Sequence, residues 1–154
     1  MSSISPFLWF DSEAEEAATF YVSLFPDSRI ESVARYPEGA PVQAGTAMSV
    51  SFVLDGLPVQ ALNGGPQFRF TEAISFFVQV ETQAEIDRYW NALTADGGVE
   101  SQCGWLKDRW GLSWQIVPTR LGELLGGPDP QRAARAMSAM LAMKKLVIAD
   151  LESA

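Results

Sequence analysis

The chain has 154 residues, of which 47% are hydrophobic and 19% charged, and its net charge is -8. That length builds one substantial core or two small fused modules, and the composition excludes wholesale disorder. An acidic chain whose only adjacent basic pair is Lys144-Lys145 repels phosphate backbones, which excludes nucleic acid as a partner class.

The sequence contains no histidine, so every histidine-dependent triad and the commonest transition-metal ligand are absent. A single cysteine, Cys103, forms no internal disulfide, and no secretory leader pattern or long apolar run is present. These features predict a cytoplasmic protein without a membrane partner.

In chain order, "SPFLWF" (5–10) is an aromatic strand candidate, and "DSEAEEAATFYVSLFPDS" (11–28) follows as a helix. Ser12 and Glu15 spell a capping box, Ala17, Phe20, Tyr21 and Leu24 spell one apolar face, and Pro26-Asp27 ends it. "RIESVARY", "TAMSVSFVLDG" and "LPVQALNG" then read as three strands separated by Pro-Glu-Gly and Asp-Gly turns.

The same grammar recurs about 70 residues later. "AISFFVQV" (73–80) is a strand. Thr82 and Glu85 repeat the capping box, and Ile86, Tyr89, Trp90 and Leu93 repeat the apolar face before Gly97-Gly98. "GVESQCG", "WLKDRWG" and "LSWQIVP" supply the last three strands.

The pattern predicts an α+β fold of tandem βαβββ modules, about 1–66 and 70–120, forming a single domain with a C-terminal helical tail over 121–154. In each module the helix covers one sheet face and leaves the other open to a cavity. In the tail, "DPQRAARAMSAMLAMKK" is a helix whose Met137, Met140 and Leu141 pack on the core or on a second subunit. "LVIADLESA" reads as a short strand and a turn.

Strand alternation assigns side chains to the open faces. Ser5, Phe7 and Trp9 fall there from the first strand, and Val59, Ala61 and Asn63 from "LPVQALNG". Ser75, Phe77 and Gln79, then Ser113, Gln115 and Val117, fall there in the second module. These lining residues are aromatic and apolar with a few amides and hydroxyls, which suits a small organic molecule and not a transition metal.

Individual candidates carry competing readings. Cys103 lacks a base to activate it, so a small, partly buried thiol outweighs a nucleophile. Lys107, Asp108 and Arg109 read as surface charges at a hairpin turn, ahead of a substrate clamp. Trp105 and Trp110 are ligand, dimer or core contacts. Asn63 and Gln115 are the best polar anchors, or else bond each other or a buried water. Glu72 is a carboxylate base at the rim or part of a solvated linker. "LNGGPQF" lies after a late strand and opens no helix, so it does not supply the Gly-rich turn of a doubly wound methyl-transfer fold.

"ALNGGPQFRFTEAISFFVQVETQAEIDRYWNALTADGG", "CGWLKDRWGLSWQIVP" and "AMSAMLAMKKLVIADL" resemble the PhnB-like proteins, also labelled 3-demethylubiquinone-9 3-methyltransferase-like. That resemblance implies the vicinal-oxygen-chelate superfamily, with glyoxalase I, bleomycin-resistance proteins and extradiol dioxygenases, and hence a glyoxalase-like fold. Metal-dependent members draw ligands from the first and last strands of each module. The resemblance puts those positions near Ser5, Asn63, Ser75 and Gln115, none of which is a strong ligand.

The expected function is metal-free, cofactor-free binding of a small organic molecule by a homodimer. The candidate contacts are Phe7, Trp9, Asn63, Ser75, Phe77, Trp105 and Gln115. A lyase, isomerase or transferase using Asn63, Gln115 and Glu72 or Asp108 is the first alternative. A structural homodimer with a closed cavity is the second.

Overall fold

A computed structural model describes residues 1–154. The chain divides into two units, Met1–Arg69 and Phe70–Ala154.

In the first unit, strand β1 (Phe7–Phe10) leads into helix α1 (Ala14–Leu24), then strands β2 (Arg29–Arg35), β3 (Ala47–Leu54) and β4 (Leu57–Asn63). The sheet order is β1-β4-β3-β2, with β1 parallel to β4 and the other pairs antiparallel. Ala14, Ala17 and Ala18 are buried along α1. These small side chains let the helix lie close to the sheet, so they, with Tyr21 and Phe25, form its inner face. Phe20 and Leu24 are only half-buried, a shift of the expected face toward the alanines.

The capping box expected at Ser12 does not form. Helix α1 starts after Glu13 without a local side-chain cap. The Ala14 N–H donates to Asn63 Oδ1 at 2.8 Å instead, and Glu15 pairs with Arg35 at 2.7 Å.

The second unit repeats the order: β5 (Ser75–Val80), α2 (Gln83–Thr94), β6 (Val99–Glu100), β7 (Trp105–Lys107) and β8 (Ser113–Pro118). Its sheet runs β5-β8-β7-β6, with β5 parallel to β8. Here the local box forms in full: the Glu85 N–H donates to Thr82 Oγ1, and Glu85 Oε2 accepts the Thr82 N–H. All four predicted apolar residues of α2, Ile86, Tyr89, Trp90 and Leu93, are buried. Trp90 satisfies its indole N–H on Glu100, which fixes the short strand β6 beside the helix.

Three helices complete this unit: α3 (Thr119–Leu125), α4 (Pro130–Leu141) and α5 (Ile148–Ser153). "LVIADLESA" is therefore helical from Ile148, not a strand. Leu146 and Leu151 fill a small core with Val117, Leu121, Leu124 and Ala136, which outweighs the β-branched local preference. The tail is bound through backbone groups. Cys103 N–H donates to Met143 O, Gly104 N–H to Lys144 O, and the Gln83 side chain holds both Leu146 O and the Ile148 N–H.

Candidate functional site

The ladder register settles which side chains share each open face. In the first sheet Phe7 pairs with Gln60 and Trp9 with Leu62, while Ser51 lies across from Gln60. The open row is therefore Phe7, Gln60 and Ser51, with Trp9 and Leu62 beside it. Val59 and Ala61, placed on this face from the sequence, are fully buried on the opposite one, against α1. Asn63 goes with them. Its Oδ1 caps α1 and its Nδ2 donates to Ala47 O, so its amide holds the scaffold. The correction has a simple cause: a glutamine at position 59 or 61 would be desolvated under the helix without a partner, so Gln60 must point away.

The second sheet keeps Ser75, Phe77, Ser113 and Gln115 on the face assigned to them, but Val117, assigned there too, is buried. Ser75 pairs with Ser113, and Phe77 with Gln115. Trp105 pairs with Gln115, and Lys107 with Ser113. One row is Lys107, Ser113 and Ser75, and the next is Trp105, Gln115 and Phe77. Farther along, Val117 is covered by the tail helices. Gln115 Nε2 donates to Ser75 Oγ at 2.9 Å. In the first unit Ser51 donates to Gln60 Oε1 at 2.6 Å.

The two units thus carry the same device: an aromatic on the first strand beside a serine-bonded glutamine on the last. Phe7 is 58% exposed and Phe77 56% exposed, so each edge strand, β1 and β5, leaves a large apolar side chain open. Gln60, not Asn63, is the counterpart of Gln115. The two phenylalanine–glutamine pairs stand 53 and 38 residues apart in sequence, so only the ladder register brings out their equivalence.

Trp9 is fixed from its own side. Its indole N–H donates to Gly65 O at 2.9 Å, and Phe68 packs edge-on at 5.0 Å. A Cβ on Gly64 would fall inside the indole ring. The Gly64-Gly65 run is therefore a seat for Trp9, not a phosphate cradle. Trp105 is half-buried on its face.

The "KDRWG" turn departs from a set of surface charges. Asp108 is only 2% exposed. Its Oδ1 accepts the N–H groups of Trp110 and Leu112, and its Oδ2 accepts the Trp114 indole N–H at 2.9 Å. Three donors on one buried carboxylate stabilise its charge and fix the β7–β8 turn. Arg109 lies on the Trp110 ring and pairs with Asp96.

Cys103 occupies a left-handed position in the turn that holds the tail. Glu72, in the exposed turn before β5, pairs with Lys107. The Lys107 hydrogen bond, followed by Glu72's own backbone N–H, lowers its carboxyl below the ordinary value. A general base is tuned toward neutrality, so this shift runs the wrong way for that role.

Ser113 is the exception to a well-satisfied face. It is 0% exposed and its Oγ has no partner. A buried polar atom left in this state costs about 1–3 kcal/mol.

No three His, Cys, Asp or Glu residues are grouped to hold a metal. The open faces present Ser, Gln and Lys, a donor set that does not fit a divalent transition metal. No helix is long and apolar enough to cross a membrane.

Two four-stranded βαβββ sheets of this topology define a glyoxalase-like fold. Residues 2–117 match the family described as 3-demethylubiquinone-9 3-methyltransferase, and the chain belongs to that PhnB-like family.

A putative 3-demethylubiquinone-9 3-methyltransferase, PhnB protein, from Bacillus cereus is 35% identical. The match covers 77% of this chain and 100% of that one, with TM-score 0.71. Protein PA1353 from Pseudomonas aeruginosa is 22% identical over 77% of this chain and 98% of its own, with TM-score 0.61. The fosfomycin resistance protein FosX from Listeria monocytogenes shares the fold at 14% identity, covering 79% and 94%, with TM-score 0.55. Comparison with curated proteins gave no match. The family match stops at residue 117, so α3–α5 lie outside it.

Proposed function

We propose that this chain is a metal-free small-molecule-binding protein that holds an organic ligand against the aromatic open faces of its sheets. The observation that carries this reading is the exposed Phe77 beside Gln115 and Trp105 on one face of the second sheet, a combination of apolar area and sparse amide anchors that suits an organic ligand. Phe7, Trp9 and Gln60 form the corresponding set in the first unit, and Ser75 completes the polar contacts of the second. Asn63 acts in this reading through α1 and not on the ligand.

Sequestration fits better than turnover. Asp108 is engaged by three N–H donors and Glu72 is ion-paired, so neither carboxylate suits acid–base work. Homodimerisation, with the exposed Met137–Leu141 flank of α4 as a contact, and a reducing cytoplasmic setting for the unpaired Cys103 belong to the same proposal.

The test is native mass spectrometry of the full chain purified without added ligand, together with the Phe77→Ala and Trp105→Ala variants. A co-purifying organic compound, lost from either variant while the melting temperature holds within a few degrees, is the expected result. A stoichiometric divalent metal required for turnover overturns the metal-free reading.

A further inference from the structure

We propose that the second sheet carries a subsite for the carboxylate of a small aromatic acid at Lys107, Ser113 and Ser75, and that Glu72 occupies it in the ligand-free chain. This rests on the small-molecule reading above and narrows it to a ligand charge.

The row is rich in donors. Lys107 brings an ammonium group. Ser113 Oγ is buried beside it in ladder register, without a partner. Ser75, on the other side of Ser113, accepts from Gln115 Nε2, which leaves its hydroxyl proton to donate elsewhere. Three donors thus stand in one row, and at its Lys107 end the chain supplies the Glu72 carboxylate. A carboxylate from outside offers the same charge and acceptors, and satisfies Ser113 as well. The adjacent row of Trp105, Gln115 and Phe77 then receives the aromatic body.

Glu72 is suited to yield its place. It sits in the exposed Thr71–Ile74 turn, outside the sheet, and its pair with Lys107 is open to water. Such exposed pairs contribute little, so an aromatic acid that adds stacking and the serine contacts displaces it. Ser113 supports the assignment independently: its hydroxyl stabilises nothing within the chain, and its burial there is accounted for by a ligand contact.

The experiment titrates the full chain with benzoate and indole-3-acetate, and with their neutral amides, by calorimetry. The acids are expected to bind at least tenfold more tightly than the amides. Glu72→Gln removes the internal competitor and is expected to tighten acid binding about two- to fivefold without changing amide binding. Lys107→Met is expected to erase the preference for acids. Ser113→Ala is expected to weaken acid binding several-fold while leaving the melting temperature unchanged or higher. Equal binding of acids and amides, or no effect of Glu72→Gln and Ser113→Ala, overturns the carboxylate subsite and leaves small-molecule binding standing. No binding of any of the four probes, by wild type or by Glu72→Gln, overturns both.

Discussion

The two units spell the same start signal for their helices and satisfy it in different ways. In the second unit, Thr82 and Glu85 cap α2 from within the helix's own sequence. In the first, Ser12 and Glu15 fit the same pattern, yet the cap comes from Asn63, 49 residues from Ala14. The ladders explain the choice. Asn63 closes the β1–β4 pair opposite Phe10, and its counterpart closing the β5–β8 pair opposite Val80 is Pro118. Proline has no side-chain acceptor, so the second helix must cap itself. A capping pattern in sequence shows what a helix end can do locally, and a better tertiary acceptor removes the need.

Their hairpins diverge as well. The β3–β4 connection is a two-residue Asp55-Gly56 turn with both residues at positive φ, the geometry that matches strand twist. The β7–β8 connection is longer and is organised by buried Asp108. The largest expected effect therefore falls on the second unit. Asp108→Ala strands two backbone N–H groups and the Trp114 indole, and should destabilise by about 3 kcal/mol or more in denaturant unfolding. Asp55→Asn, at a solvated turn that tolerates asparagine, should change stability by less than about 0.5 kcal/mol. Similar costs at the two turns would break the contrast.

A smaller difference is expected between the caps. Asn63→Ala removes a cap and a strand-to-backbone bond together, and should cost about 2 kcal/mol. Thr82→Ala loses only the local cap and should cost about 1 kcal/mol. Ser12→Ala should be near neutral. Amide hydrogen exchange resolved by helix would show α1 responding to Asn63 and not to Ser12.

The smallest effect is a pH response. Backbone N–H groups of Glu81 and Thr82 lower the Glu85 carboxyl below its ordinary value. A depressed carboxylate contributes stability above its unfolded value and loses it as pH falls through the folded one. The start of α2 should therefore exchange faster in acid below the ordinary carboxylate range, while the start of α1, capped by a neutral amide, stays unchanged. Equal acceleration at both ends would contradict the assignment.

Much of the frame was legible because it rests on period. Ile86, Tyr89, Trp90 and Leu93 mark a helix face that no strand pattern imitates, and the repeat across about 70 residues marks two modules. The open face of β8 was legible because Ser113 and Gln115 alternate with Trp114 and Ile116. In "LPVQALNG", apolar residues stand on both alternations, so the sequence does not separate Gln60 from Asn63 without the partner strand. Asp108 looked superficial because its three donors come from residues two to six positions later, in a turn whose shape the carboxylate itself creates. The short run from Leu146 reads as strand or helix alike, and only burial against Val117 and Leu121 decides it.

The Gln83 clamp also sets an order of events during synthesis. Its two bonds span 63 and 65 residues and tie the first turn of α2 to the tail. The first unit ends at Arg69 and has all its internal partners once that residue has emerged. The second cannot close its clamp until Ile148 is free of the ribosome. A nascent chain stalled before Leu146 should therefore show a protease-resistant first unit and a second one that is still cut.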